Sequence, residues 1–276
     1  LSPMLELEHG FRVVDVNVRL DATVDGTGQD LATNTERLER ELHQAGIVRA
    51  VVFPQPRPES YLRANNAVAR QSVDRPFVPL ARLNGPRDPA GTPAAKIRNL
   101  TASRGPEHVD PEDVEQYAYG DRFHGFRLDP IQDGLPDDEV LDELESVGKP
   151  VITTVGEGFP PAALEATLLR RNIPIVAAHF GGYPLNRELM GETIDLLESH
   201  DDCYVDTSAV RYRDVLERAL REHPDRVLFG SGTPDVHPNV GIMEMLTLDL
   251  PEDAMRRAFS KNVERVLGDA LAEAMG

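Results

Sequence analysis

A chain of 276 residues, 40% of them hydrophobic, can bury a sizeable core as one large α/β barrel or as two ordinary domains, and is too apolar to be disordered. Its 29 Lys and Arg against 47 Asp and Glu leave a formal charge of −18, which repels phosphodiester backbones and acidic lipid and argues against nucleic-acid or membrane partners. No apolar run approaches the roughly 18 residues of a membrane span, no secretory h-region opens the chain, and the single Cys203 excludes an internal disulfide or multi-cysteine metal site; a cytoplasmic protein is expected.

Eight short β-branched or apolar runs recur, at 11–18, 48–53, 77–83, 123–128, 150–155, 173–179, 203–208 and 226–231. Several are nearly continuous, without strict alternation, as parallel strands buried on both faces should be. Helical patterns lie between them. Asn34 or Thr35 can cap a helix whose Leu38, Leu42 and Ala45 share a face and which stops at Gly46. Asp137–Gly148 keeps Val140, Leu141, Leu144 and Val147 at helical spacing, and Pro160 and Pro161 suit the first turn of another helix. Leu185–Ser199, Tyr212–Arg221, Pro251–Phe259 and Asn262–Ala274 complete the set. Strand and helix alternating eight times predicts a (β/α)8 TIM barrel, a single domain over residues 1–276. The long segment 84–122, rich in Pro, Gly and charge, is an insertion between strands three and four. Connections of this length are usually functional or disordered, and this one is placed to cover the barrel mouth.

The strand ends read, in order, Asp15-Val16-Asn17-Val18-Arg19, Gly125-Phe126-Arg127-Leu128, Pro150-Val151-Ile152-Thr153-Thr154-Val155-Gly156, Ala178-His179-Phe180-Gly181-Gly182, Tyr204-Val205-Asp206-Thr207-Ser208 and Leu228-Phe229-Gly230-Ser231-Gly232-Thr233-Pro234. A closing helix carries Asn262, Arg265 and Leu267. This ordered set resembles the amidohydrolase-related family, the amidohydrolase 2 branch of the metal-dependent hydrolases. The family's own elements read D-x-H-x-H, G-x-K-L, P-V-x-x-H-x-G, A-H-x-G-G, Y-x-D-x-S, L-F-G-S-D-x-P and N-x-x-R-x-L. The resemblance spans nearly the whole chain and implies a barrel with its chemistry at the C-terminal strand ends.

In the family those motifs supply metal-binding histidines and a catalytic aspartate. Here the corresponding positions hold Asn17, Arg19, Thr154 and Gly232, and only His179 is kept. Asn and Thr are feeble ligands for a transition metal, Gly has no side chain, and a guanidinium has no lone pair to donate. A unit charge about 4 Å from a divalent ion costs on the order of 8 kcal/mol at an effective dielectric of ~20. The expectation is therefore a degenerate metal site, with no metal and no other cofactor.

Each departure has a functional and a structural reading. Arg19 either takes the metal's place as a fixed cation or fills the hole by pairing with Asp15, Asp206 or Asp235. Arg127 is either an anion contact or part of a strand-end ion pair. Arg82 ends strand three and points to the mouth if the strand keeps its parity. His179 is either a general base, perhaps oriented by Asp235, or a packing residue. Asp235 either replaces the lost carboxylate or sits solvated on its loop. Asn17, Thr154, Ser208 and Ser231 hydrogen-bond either a polar ligand or one another. His124 and His237 read as ordinary strand or loop residues.

The resemblance and its departures imply an enzyme that works without metal on a small, anionic molecule. Hydrolysis of a lactone or ester is expected first and decarboxylation second, because unactivated amides normally need a metal-bound water. A non-catalytic binding or partner protein is the competing reading. A homo-oligomer is compatible with either. Only Lys96, Lys149 and Lys261 are lysines, a bias that a salt-rich cytoplasm or a GC-rich genome would each produce. Charge therefore reports habitat and not chemistry.

Overall fold

The computed structural model describes residues 9–20, 28–56, 61–120 and 122–268, with the side chains of 28–34 outside that description. Among the described residues the strands are β1 (Val13–Leu20), β2 (Ile47–Pro54), β3 (Phe77–Pro79), β4 (Ala81–Leu83), β5 (Phe126–Leu128), β6 (Val151–Gly156), β7 (Ile175–Tyr183), β8 (Cys203–Asp206) and β9 (Val227–Leu228). All pair parallel, in chain order, as one three-stranded and one six-stranded sheet. The expected run at 77–83 is divided at Leu80, whose N–H donates to Val52 while that of Ala81 donates to Gly125. Single backbone bonds, not a ladder, join β1 to the segment after β9: Val16 N–H to Phe229 O at 2.9 Å, Arg19 N–H to Thr233 O at 2.8 Å and Gly232 N–H to Asn17 O at 3.1 Å. The architecture is a (β/α)8 barrel with these two interruptions.

Side-chain alternation along the strands sorts the core into two layers. Val14, Val16, Val51, Val78, Leu80, Ile152, Val176, Tyr204 and Leu228 form one apolar cluster together with Val263 and Leu267. Val13, Val18, Ala50, Val52, Phe77, Ala81, Phe126, Val151, Ile175 and Val205 belong to a second, which includes the helix residues Leu38, Leu144, Leu164, Ile194 and Leu216. Strand residues facing either way are therefore buried, which explains the near-continuous apolar runs. Arg82 shares strand parity with Val78 and Leu80, so it belongs to the barrel's inner set, as Arg127 and Thr154 do on their strands.

Several helices match their sequence boundaries closely, among them Asp138–Val147, Arg187–Ser199 and Arg213–Glu222. Asp137 caps the first through Val140 N–H and Gly148 ends it in a left-handed conformation. The first helix begins at Gly28, ahead of the expected Asn34 or Thr35, and the Asn34 side chain lies outside the described residues. The helices Tyr61–Ser72 and Pro238–Leu246 were not anticipated. Pro251–Phe259 is divided into Glu252–Arg256 and a π-turn at Arg257–Lys261, and the last helix is described over Asn262–Leu267, the remainder of the predicted span lying outside the described residues.

Among the described residues of 84–122 none lines the central cavity, while Pro106, His108 and Val109 line a neighbouring pocket with Arg82 and Leu83. Asn84 ties the segment down by accepting from Val109 N–H and donating to Glu107 O, and Arg104 and Arg87 pair with Asp137 and Asp138 at the start of a barrel helix. Its helix Pro111–Tyr119 packs beside Asp138–Val147, on the flank of the barrel. Among the described residues no helix is long and apolar enough to cross a membrane.

Candidate active site

A cavity of about 120 Å³ lies where the strands end, lined by side chains from β1, β2, β4, β5, β6 and β7 and from the loop after β9. Asn17, Arg19, Arg127, Thr154, His179, Gly232 and Asp235 all contribute to its wall. The sequence-derived candidates thus converge, with Ser208 and Ser231 as exceptions. Neither serine lines the cavity, and both are fully buried behind it. Ser231 Oγ bonds Thr233 Oγ1 at 2.7 Å and accepts from Thr233 N–H at 3.1 Å. These two serines lie behind the wall and bond its side chains.

Two arginines lie buried at the base. Arg82 donates Nε–H to Asp133 at 2.6 Å, Nη1–H to Pro54 O at 3.1 Å and Nη2–H to Asp129 at 3.4 Å. Asn65 clamps its backbone at both N–H and C=O, and the Tyr61 hydroxyl donates to the other oxygen of Asp133. Arg127 is different. Its Nη2 donates to Thr154 Oγ1 at 2.6 Å and its guanidinium lies 4.7 Å from the Phe53 ring centroid, but Nε and Nη1 have no hydrogen-bond partner. Burial pulls its pKa down to about 10, Asp129 opposing that shift and Arg82 adding to it. A buried cation with unpartnered donors carries a desolvation cost that a hydrogen-bonding anion would offset.

His179 sits midway along β7, where three successive residues adopt positive φ: His179 at 59°, Phe180 at 52° and Gly181 at 73°. Left-handed backbone costs roughly 1–2 kcal/mol at a residue with a side chain, and such outliers cluster at functional sites. Only glycine fits third, because a Cβ there would lie 1.9 Å from Thr193 Oγ1. The curl takes His179 off the regular ladder, whose last β7–β8 partner pair is Ala177 with Val205.

Behind the imidazole stands a hydrogen-bonded group. His179 Nδ1 lies 2.9 Å from Ser208 Oγ and 3.3 Å from Ser208 O. Asn17 Nδ2 donates to Asp206 Oδ2 and to Ser208 Oγ, both at 2.9 Å. Asp206 Oδ1 also accepts from His179 N–H, Ser208 N–H and the Ser208 hydroxyl. Burial holds the imidazole below the usual histidine range; Asp206 pulls it up and Arg127 pushes it further down. The direction favours the neutral imidazole. Asp15 lies deeper, accepting from the N–H groups of Asn17 and Ser231 through Oδ1 while Oδ2 stays unpartnered, and burial pushes its carboxyl up to about 7.

At the mouth, Arg19 holds Asp235 through two bonds of 2.8 and 3.0 Å. The structural reading of Arg19 therefore names its partner, and Asp235 orients Arg19, not His179. His237 caps the helix Pro238–Leu246, as an ordinary loop residue would. Asp129, Gln132, Tyr183 and Phe53 also line the cavity, unanticipated from sequence. Asp129 had a legible signal, since it directly follows the strand end Leu128.

Among the described residues no three His, Cys, Asp or Glu side chains gather where they could hold a metal ion. The Amidohydrolase family model matches residues 20–268. No curated protein matches the sequence. Solved structures do resemble the chain. An uncharacterized TIM-barrel protein from Bordetella bronchiseptica is 18% identical with a TM-score of 0.65, over 94% of this chain and 99% of that one. The 5-carboxyvanillate decarboxylase of Sphingomonas paucimobilis is 14% identical with a TM-score of 0.63, over 93% and 99%. A probable 2-pyrone-4,6-dicarboxylic acid hydrolase from Acinetobacter baumannii, with citric acid bound, is 15% identical with a TM-score of 0.57, over 94% and 100%. At these identities the likeness establishes the TIM-barrel fold. With the family match covering most of its length, the chain belongs to the amidohydrolase family.

Proposed function

We propose that this protein is a metal-independent hydrolase of small carboxylate-bearing lactones or esters. The observation that carries the reading is Arg127, a cavity-lining residue whose buried guanidinium leaves Nε and Nη1 without a hydrogen-bond partner and closed off from solvent. A small turn of the guanidinium presents one of these donors to a substrate carboxylate, which relieves the desolvation of the cation. The divalent metal implied by the family does not fit this lining, in which one imidazole and two carboxylates, Asp129 and Asp235, stand among three guanidiniums, and Asp235 is already held by Arg19.

In the proposed reaction His179 takes a proton from water as the hydroxide oxygen adds to the acyl carbon. The acyl C–O bond then breaks, and the leaving oxygen recovers that proton from the imidazolium, giving the hydroxy acid or its tautomer. Hydrolysis is favoured over decarboxylation because an Arg-held carboxylate is stabilised in the ground state, which slows its departure as carbon dioxide. The hydrolase among the structural relatives supports this choice, and the decarboxylase supports only the preference for an anionic acid.

The test is turnover of 2-pyrone-4,6-dicarboxylate and smaller carboxylated lactones by chelator-treated protein. Hydrolysis that persists, and falls about 10²- to 10⁴-fold in His179→Ala, is expected. Protein carrying about one zinc, manganese or iron per chain, with activity lost on its removal, contradicts the proposal. Release of carbon dioxide from a dihydroxybenzoate in place of lactone hydrolysis contradicts the reaction assigned.

A further inference from the structure

We infer that Ser208, which never touches the cavity, sets the tautomer of His179, keeping the proton on Nδ1 and leaving the Nε2 lone pair for chemistry. The inference rests on the reading above for its purpose, but its structural content stands alone.

The argument is a count of protons. A serine hydroxyl has one hydrogen to give and two lone pairs to receive. Ser208 Oγ has three neighbours: Asp206 Oδ1, Asn17 Nδ2 at 2.9 Å and His179 Nδ1 at 2.9 Å. Asp206 acts throughout as an acceptor, taking the backbone N–H groups of His179 and Ser208 and the amide N–H of Asn17. That carboxylate also fixes the Asn17 amide, whose oxygen would face it unfavourably if the group were turned over. The Ser208 proton therefore goes to Asp206. One Ser208 lone pair receives Asn17, and the other is left for His179, so Nδ1 must bring the hydrogen.

A second neighbour gives the same answer. The Ser208 carbonyl lies 3.3 Å from Nδ1 and can only accept. Both polar contacts of Nδ1 are thus acceptors, and the proton cannot sit on Nε2 in the neutral ring. Ser208 is a positioning residue. Asn17 completes the relay by occupying the remaining lone pair.

The test is the long-range proton–nitrogen NMR spectrum of the full-length protein at neutral pH. His179→Gln identifies the His179 signals among the eight histidines by their loss. The expected pattern is a protonated Nδ1 and a bare Nε2. In Ser208→Ala only the longer 3.3 Å contact to the backbone carbonyl remains, so the Nε2-protonated form should gain population without displacing the other, and Ser208→Thr should restore the original ratio. A wild-type ring protonated on Nε2, or an unchanged ratio in Ser208→Ala, overturns the inference; if the alanine variant does not fold, the wild-type spectrum alone decides. Protein that shows the expected spectrum yet hydrolyses no lactone keeps the tautomer assignment and refutes only the proposed reaction.

Discussion

The two buried arginines stand on nearby strands at the same end of the barrel, yet their surroundings differ. The Arg82 corner is complete: its guanidinium meets Asp133, Asp129 and a backbone carbonyl, and Asn65 and Tyr61 finish the arrangement. The Arg127 corner offers one hydroxyl and one aromatic face. Burying a cation is costly whether or not it is paired, so the first corner offsets that cost internally and the second waits for a partner. One side of the base is fully paired and the other is not.

Stability should separate them most widely. Arg82→Met strands Asp133 in a dry site, where burial already pushes its carboxyl up, and should cost about 3–5 kcal/mol in denaturant unfolding. Arg127→Met removes an under-solvated cation and should fold within about 1 kcal/mol of wild type, or more stably. Equal losses would erase the distinction.

Asp15 sharpens the comparison as a buried charge of the opposite sign. Its pKa rises from 3.8 to about 7 on folding, so the folded state binds the proton more tightly than the unfolded chain. The associated stability is fully present below 3.8 and is lost as pH rises through about 7. Asp15→Asn should therefore raise the thermal midpoint by several degrees at pH 8, with the gain shrinking toward zero at pH 4. A gain independent of pH would contradict this origin.

The smallest effect belongs to the mouth. Asp235 is 70% exposed, so Asp235→Ala should change stability by less than about 1 kcal/mol. Removing this competitor from Arg19 should strengthen succinate binding modestly, measured by calorimetry. Weaker binding would make Asp235 part of the receptor.

The amidohydrolase barrel was legible because parallel strands buried on both faces write long apolar runs, and because each motif marks a strand end. His179, Asn17, Arg127 and Thr154 were found in that way. The pairing of Arg19 was open among three carboxylates, since sequence gives no loop geometry to choose Asp235. Ser208 and Ser231 were open between bonding a ligand and bonding neighbours, and behind the wall they bond Asn17 and Thr233, because the turn after β8 and the loop after β9 aim side chains independently of strand parity. Asp129 was passed over as one acid among 47. The 84–122 segment was expected over the mouth from its length alone, whereas its placement depends on Asn84, Arg87 and Arg104, which tie it to the flank.

The central claim is that a guanidinium, not an ion, receives the substrate. Calorimetric titration of succinate into chelator-treated wild-type protein and Arg127→Met tests it directly. The account predicts measurable binding by the wild type and binding about 10- to 100-fold weaker in the variant, the worth of hydrogen bonds to a charged group. Equal affinity in the two proteins, or binding that appears only when zinc or manganese is added back, would contradict it.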